Sequence, residues 1–426
     1  MAEDRQLSNP LPAPHGWSVL IALALNSSFN AFQCMNFSAT QAASANALGI
    51  MEHETARFYS MYLFACMLFM TPVMWQTERY ERGALLSSVV ATTAAAWIRW
   101  LALHTMSYQY ELCAISQVLI GFGASAISTL PGQISHQRFA PNRWALTTSL
   151  MLMANYSGWL FGSSVPELLV VEGSVESLSN LFLAQAVYSC FTTTAFFLFY
   201  RPLSDEAALV VAKENAEKSH LGGFVSVFKV MARTPQFCLQ LTTHGLFGAI
   251  GFVVPSAILF IIQDLGLYSW MGQLINFVFI GTGVLGGVLL GACSTDVKSY
   301  PRILKMCYVL GTAALVVICG VAYTDVLGAA IATIALILLM AVAGFATLGF
   351  TGVLFEDLAR FPNMTSSYVL WIGYEIILAL SSILNLFSSN GSGFWILAGT
   401  SVLTCVVFLT CYKQSDGGKD AYVVIQ

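Results

Sequence analysis

Long apolar runs broken by short polar ones organise this chain. A helix that crosses the hydrocarbon of a bilayer needs about 20 mostly apolar residues. Runs of that length recur at 17–45, 57–76, 83–104, 109–134, 144–170 and 178–200. They recur again at 236–263, 271–293, 302–323, 326–354, 365–388 and 393–412, so the pattern predicts twelve spanning helices. One long polar stretch, RPLSDEAALVVAKENAEKSHLGG, separates the first six from the last six. The expected organisation is a tail over 1–16, a six-helix bundle over 17–200, a linker over 201–235, a second six-helix bundle over 236–412 and a tail over 413–426. Just after the polar stretch, Phe224, Val227, Phe228 and Met231 share one helical face, while Lys229 and Arg233 take another. That arrangement predicts a short helix lying on the membrane surface within the linker.

The distribution of basic residues adds an orientation. All but Arg57 and Arg99 of the 18 Lys and Arg fall in the two tails, the linker or the even-to-odd connections. The positive-inside rule then places both tails and the linker in the cytoplasm. The alternation also checks the span count, because one missed helix would scramble it. A multi-pass protein of the plasma membrane is expected, with an organellar membrane as the alternative. The opening MAEDRQLSNPLPAPHGW lacks the basic n-region of a signal peptide, so the first apolar run is expected to be kept as a helix.

Composition excludes a soluble enzyme. Hydrophobic residues make up 57% of the 426 and charged ones 9%, against roughly 25% charged in a soluble domain. Such a surface must face lipid. The net charge of −4 is unclustered, and no basic stripe suggests a nucleic-acid partner. The ten cysteines sit mostly within apolar runs and form no C-x-x-C, so they read as small core residues and not as metal ligands or disulfides. No catalytic constellation, metal site or cofactor is expected.

One motif misleads. Gly281, Gly283 and Gly286 match the dinucleotide pattern G-x-G-x-x-G, but they lie inside an apolar span with no strand before them. With Gly287 and Gly291 they read as a smooth face on which the eighth span packs closely. The N-x-[ST] matches at Asn26, Asn36 and Asn155 are intramembrane, Asn363 falls on the cytoplasmic side and Asn390 close to the bilayer, so no glycosylation is expected.

Polar side chains inside the spans carry the functional signal, because hydrocarbon makes them costly unless they face a cavity or bond a neighbour. In the first span Asn26, Asn30 and Gln33 share one face; we read this as a cavity-lining stripe, with interhelical bonding as the alternative. Asn155 with Trp159, and Gln240 with His244, stack at i, i+4, an arrangement as common in structural contacts as in cavity walls. Arg99, within Trp97-Ile98-Arg99-Trp100, is expected to snorkel as an anchor between indoles. Glu167 could pair with Arg57 or Arg99. Glu375 stands at the middle of the eleventh span, beside Tyr374 and one turn after Trp371, and is a candidate counter-ion or proton carrier.

A six-plus-six layout with a central cytoplasmic linker resembles the major facilitator superfamily, an all-α membrane fold in which two bundles rock about a midplane site. Within it, Asn30-Ala31-Phe32-Gln33 resembles the opening of the first helix in the feline leukaemia virus subgroup C receptor-related transporters, carriers of choline, ethanolamine and haem. Tyr62, Pro72 and Trp75, then Ala96-Trp97-Ile98, Leu130-Pro131 and Phe139-Ala140-Pro141 resemble that family in order. So does the set Asn155, Gly158, Gly162 and Pro166, whereas Gly245 and the group Asp296, Lys298 and Tyr300 are weaker echoes. The resemblance is good over 26–166 and thin afterwards. It implies a choline cage, but Cys34 stands where the family has the cage tryptophan and Phe252 where it has the cage tyrosine; Ala124 and Glu375 replace glutamines.

The expectation is an alternating-access transporter of a small organic solute, a choline- or ethanolamine-like amine, acting as a monomer in the lipid bilayer. A haem or porphyrin carrier and a non-transporting membrane sensor are the alternatives. The candidate substrate-binding residues are Asn30, Gln33, Cys34, Asn155, Trp159, His244, Phe252, Trp371 and Glu375.

Overall fold

The computed structural model describes residues 15–105, 107–202, 224–265, 269–323, 329–361, 364, 366–388 and 393–412. The expected tails beyond 15–412, the polar stretch 203–223, Asn363 and Asn390 lie outside the described residues. The helices of the first half are α1 (Gly16–Ala39), α2 (Gln41–Leu48), α3 (Ala56–Arg79), α4 (Glu81–Ala102), α5 (Gln109–Arg138), α6 (Trp144–Leu169) and α7 (Val175–Phe199). After the linker helix α8 (Phe224–Arg233) come α9 (Pro235–Asp264), α10 (Ser269–Cys293), α11 (Tyr300–Tyr323), α12 (Ala329–Thr347), α13 (Thr351–Leu358), α14 (Ser366–Ser388) and α15 (Gly393–Cys411).

Eleven of the described helices are long and apolar enough to cross a membrane. The helix that falls short is α6, because Thr147, Thr148, Ser149, Asn155, Ser157, Ser163 and Ser164 dilute its apolar content. Its 26 residues still run the length of the bundle, packed between α1 and α10. Large apolar side chains point outward in i, i+4 pairs, such as Leu285 with Leu289 and Ile334 with Leu338. In water such pairs would be a liability; against lipid tails they carry no penalty.

The pairing of helices exposes an internal repeat. In the first half α1 packs along α6 and α7, α3 and α4 pack on α5, and α4 packs on α7. In the second half α9 packs along α14 and α15, α10 and α11 pack on α12, and α11 packs on α15. Mapping α1, α3, α4, α5, α6 and α7 onto α9, α10, α11, α12, α14 and α15 reproduces each of these pairings. Parallel repeats of this kind build the two halves of many transporters.

The halves meet along two seams. On one, α6 lies against α10, and on the other α14 lies against α3 and α5. The glycines of α10 serve the first seam: a Cβ at Gly291 would stand 2.7 Å from Ser149 Oγ, and one at Gly287 would strike Met153. Only a helix without side chains at those positions approaches α6 so closely. The span expected over 326–354 is not continuous. It breaks at Leu348-Gly349-Phe350 between α12 and α13, and Glu356 and Asp357 then continue as buried helix where a span end was expected.

Candidate functional site

Between the seams, near the mid-length of the helices, lies a small cavity. Tyr62, Leu63 and Cys66 of α3, Ser128 of α5, Asn155 and Trp159 of α6, Phe252 of α9, and Tyr374 and Leu378 of α14 line it. Both halves contribute walls. Helix α6 brings Asn155 and Trp159 to the cavity because they share a face at i, i+4. The Asn155 amide is held from behind, donating to Ser27 Oγ of α1 at 3.2 Å.

The rings contact one another across the halves. Trp159 meets Phe252 edge-to-face at 5.0 Å and stacks on Tyr156 at 5.4 Å. Tyr374 packs on Phe355 at 5.3 Å, and Tyr62 stacks on Tyr59 at 5.9 Å. No lining residue is cationic. Glu375, the residue after Tyr374, is half-buried; its carboxylate lies against the Trp371 indole, and its field reaches the Cys66 thiol.

Of the nine candidate residues, the structure places Asn155, Trp159 and Phe252 in the cavity wall. Cys34 is fully buried immediately behind the wall, beside Tyr62 and Trp159. Trp371 donates from its indole to Thr71 Oγ1 of α3 at 3.2 Å, joining the halves below Glu375.

The amide stripe of α1 faces elsewhere. Asn26 donates to Ser88 Oγ (3.0 Å), Asn30 to Thr92 Oγ1 (2.9 Å) and the Ile120 carbonyl (3.0 Å), and Gln33 to the Thr92 carbonyl (3.4 Å). Asn30 and Gln33 are therefore interhelical bonds to α4 and α5 and not cavity walls. His244 is also displaced from the site: its Nδ1 pairs with the Tyr308 hydroxyl at 2.8 Å, walled in by Phe350 and Phe408.

Two further expectations are corrected. Arg99 does not snorkel; it is fully buried, donates to the Gln33 carbonyl at 3.0 Å and lies over the Phe37 and Phe182 rings. Glu167 pairs with neither Arg57 nor Arg99: it accepts from Gln273 of α10, and Arg57 pairs with Glu54. The wall residues Tyr62, Leu63, Cys66, Ser128, Tyr374 and Leu378 were not among the candidates. Tyr62 and Tyr374 carried a signal, since a phenol in hydrocarbon needs a polar neighbour.

Comparison with known proteins agrees with this fold. The model of the Major Facilitator Superfamily matches residues 21–369. The chain belongs to that superfamily. It is 21% identical over 317 residues to the choline/ethanolamine transporter FLVCR2 of Rattus norvegicus, covering 71% of this chain and 56% of the relative. It is 22% identical over 319 residues to FLVCR1 of Felis catus (70% and 55%), named likewise a choline/ethanolamine transporter. An uncharacterised MFS-type transporter of Caenorhabditis elegans, C09D4.1, is 22% identical over 288 residues (64% and 48%). The chain thus spans about half the length of the curated relatives it matches. Among solved structures, the proton:xylose symporter XylE has a TM-score of 0.69 at 15% identity, covering 95% of this chain and 97% of that one. FucP in its outward conformation has a TM-score of 0.67 at 13% identity, covering 93% and 100%. These structures share the fold.

Proposed function

We propose that this chain is an alternating-access carrier of a small organic cation, choline- or ethanolamine-like, bound among the rings of the central cavity. The observation that carries the reading is the wall itself. Rings from α3, α6, α9 and α14 converge on one space, no cationic side chain lines it, and a carboxylate stands next to it. A desolvated ammonium over such rings gains about 2 kcal/mol per good contact. The relatives named for choline and ethanolamine transport support the same substrate class. Trp159 and Phe252 would hold the cation, Asn155 a hydroxyl, and Glu375 would supply the balancing charge.

Haem fits less well, because the cavity is small and no cationic side chain lines it to meet the porphyrin's propionates. We place both tails and the linker in the cytoplasm, on the strength of the basic residues at that end.

Uptake of labelled choline, ethanolamine and haem by cells expressing the full chain tests the reading. Saturable amine uptake is expected, with Trp159→Ala weakening it about tenfold or more. Glu375→Gln should weaken a charged amine and spare an uncharged analogue. Amine binding without flux would favour a sensor, and flux of neither amine would overturn the substrate.

A further inference from the structure

At the end that carries the linker, one carboxylate ties the two halves together. Glu356 of α13 belongs to the second half, and its side chain is 3% exposed. Its Oε1 accepts from Thr148 Oγ1 of α6 at 2.6 Å, and its Oε2 meets His136 Nε2 of α5 at 2.8 Å. Both oxygens therefore engage the first half. Trp144 stacks on the His136 imidazole at 3.9 Å and 12°, which fixes the ring in the orientation the carboxylate needs.

The same end is sealed around this contact. Gly352 and Gly291 seat against Ser149, and Ser367 of α14 donates to Gln133 of α5 at 3.2 Å. The other titratable groups around Glu356 are known. Tyr300 at the start of α11 feels Glu356, Asp357, Arg360 and Asp296 together. Asp357 turns away to accept from the Tyr412 hydroxyl beyond α15 at 3.0 Å. From α9 the titratable side chains are Cys238, which donates to the Met231 carbonyl, and His244, already bound to Tyr308; from α10 it is the exposed Cys293.

We propose that Glu356 and His136 form a proton-binding lock that decides whether the linker end of the carrier opens. The inference needs two halves that part at this end, and it is independent of what the central cavity carries. Parting them must draw α13 off α5 and α6 at once, so both contacts break together. The closed state is held best when the proton resides on His136 and not on Glu356, because both bonds then have a charged acceptor and one a charged donor. With His136 neutral, the carboxylate keeps only neutral partners. With Glu356 neutral, the charged acceptor is lost. Either change loosens closure, and in each case the open state is the one left free to hydrate the released groups.

Spin labels at Asn142 and Lys298, exposed on opposite halves at this end, report the opening in the full chain in lipid nanodiscs with accessible native cysteines replaced by serine. The closed fraction is expected to peak at intermediate pH and fall on both sides when scanned from about pH 3 to about pH 9, a range that spans the ordinary carboxyl and imidazole values. Glu356→Gln should lower the closed-to-open ratio about tenfold and remove the acid limb. His136→Gln should remove the alkaline limb alone, and Thr148→Val should lower the ratio with both limbs kept. A wild-type distance distribution that does not move with pH overturns the lock, as does an alkaline limb that survives in His136→Gln. That second criterion holds even if Glu356→Gln fails to fold.

Discussion

Where α1 meets α4, the first half sets amides against hydroxyls; where α9 meets α11, the second half sets rings against rings. The repeat makes these positions counterparts. Asn26, Asn30 and Gln33 reach Ser88 and Thr92 in one half. In the other, Phe247 stacks on Tyr308 at 4.2 Å and Tyr308 on Phe408 at 4.1 Å, with His244 as the polar contact. The pairing of helices is thus set by shape and repeat, and its chemistry is free to differ. Lipid tails are as apolar as any core, so packing and hydrogen bonds must do what the hydrophobic effect does in water. One half leans on bonds that need exact partners, the other on dispersion contacts that need volume.

The largest effect should follow from removing volume in the ring-packed half. Tyr308 is fully buried and touches Phe247, Phe350, Phe408 and His244. Tyr308→Ala should cost about 3–5 kcal/mol, read as a lowered midpoint of detergent or thermal unfolding of the purified protein. Asn30→Ala, within the matching helix contact of the amide half, should cost far less. Equal losses would mean that the halves are not held differently.

A sharper test of the amide half uses its buried cation. Arg99 has no carboxylate among its described contacts; the Gln33 carbonyl, the Asn36 amide oxygen at 3.0 Å and two ring faces hold it. Taking a guanidinium out of water is expensive, and an apolar side chain of similar volume avoids that cost. Arg99→Met should therefore leave stability unchanged or raise it by about 1 kcal/mol, whereas Arg99→Ala should lower it by leaving a void. A marked loss in Arg99→Met, by the same unfolding measurement, would show that the first half depends on the charge itself.

The sequence carried most of the spans because hydrophobic length is a local property; the run read at 144–170 forms the 26-residue α6, which is too polar to qualify by that measure. It also carried the shared faces, since periodicity says which side chains stand together. Periodicity does not say where a face points. The α1 stripe and the α6 pair Asn155 and Trp159 look alike on paper; one faces α4 and the other the cavity, and only the packing of whole helices separates them. Arg99 was read as an anchor because its position near a span end suggested an exit to water, which Phe37 and Phe182 close off. Glu356 was invisible for the opposite reason. A charged pair after a long apolar run reads as the end of a span, and the break at Gly349 that carries it inward is flanked only by Thr347 and Thr351, which do not interrupt the apolar run.

The smallest predicted effect asks whether the amide contacts act one by one or as a network. Asn26 donates to Ser88 Oγ at 3.0 Å, and Ser88 donates onward to the Gly123 carbonyl of α5 at 2.8 Å, so three helices share one chain of bonds. Chains of this kind can polarise one another and gain strength. Against that, an unfolded chain still within the membrane finds other partners for its amides, and measured couplings between membrane helices average about 0.6 kcal/mol with a ceiling near 1.7. A double-mutant cycle of Asn26→Ala and Ser88→Ala, read from unfolding midpoints, should therefore return about 0.6 kcal/mol. A cycle of His244→Ala with Tyr308→Phe in the second half should return a larger value, because the imidazole is walled in by Phe350 and Phe408. A coupling at Asn26 and Ser88 above about 1.7 kcal/mol would reverse the order and make the relay, not the individual bond, the unit that holds the first half together.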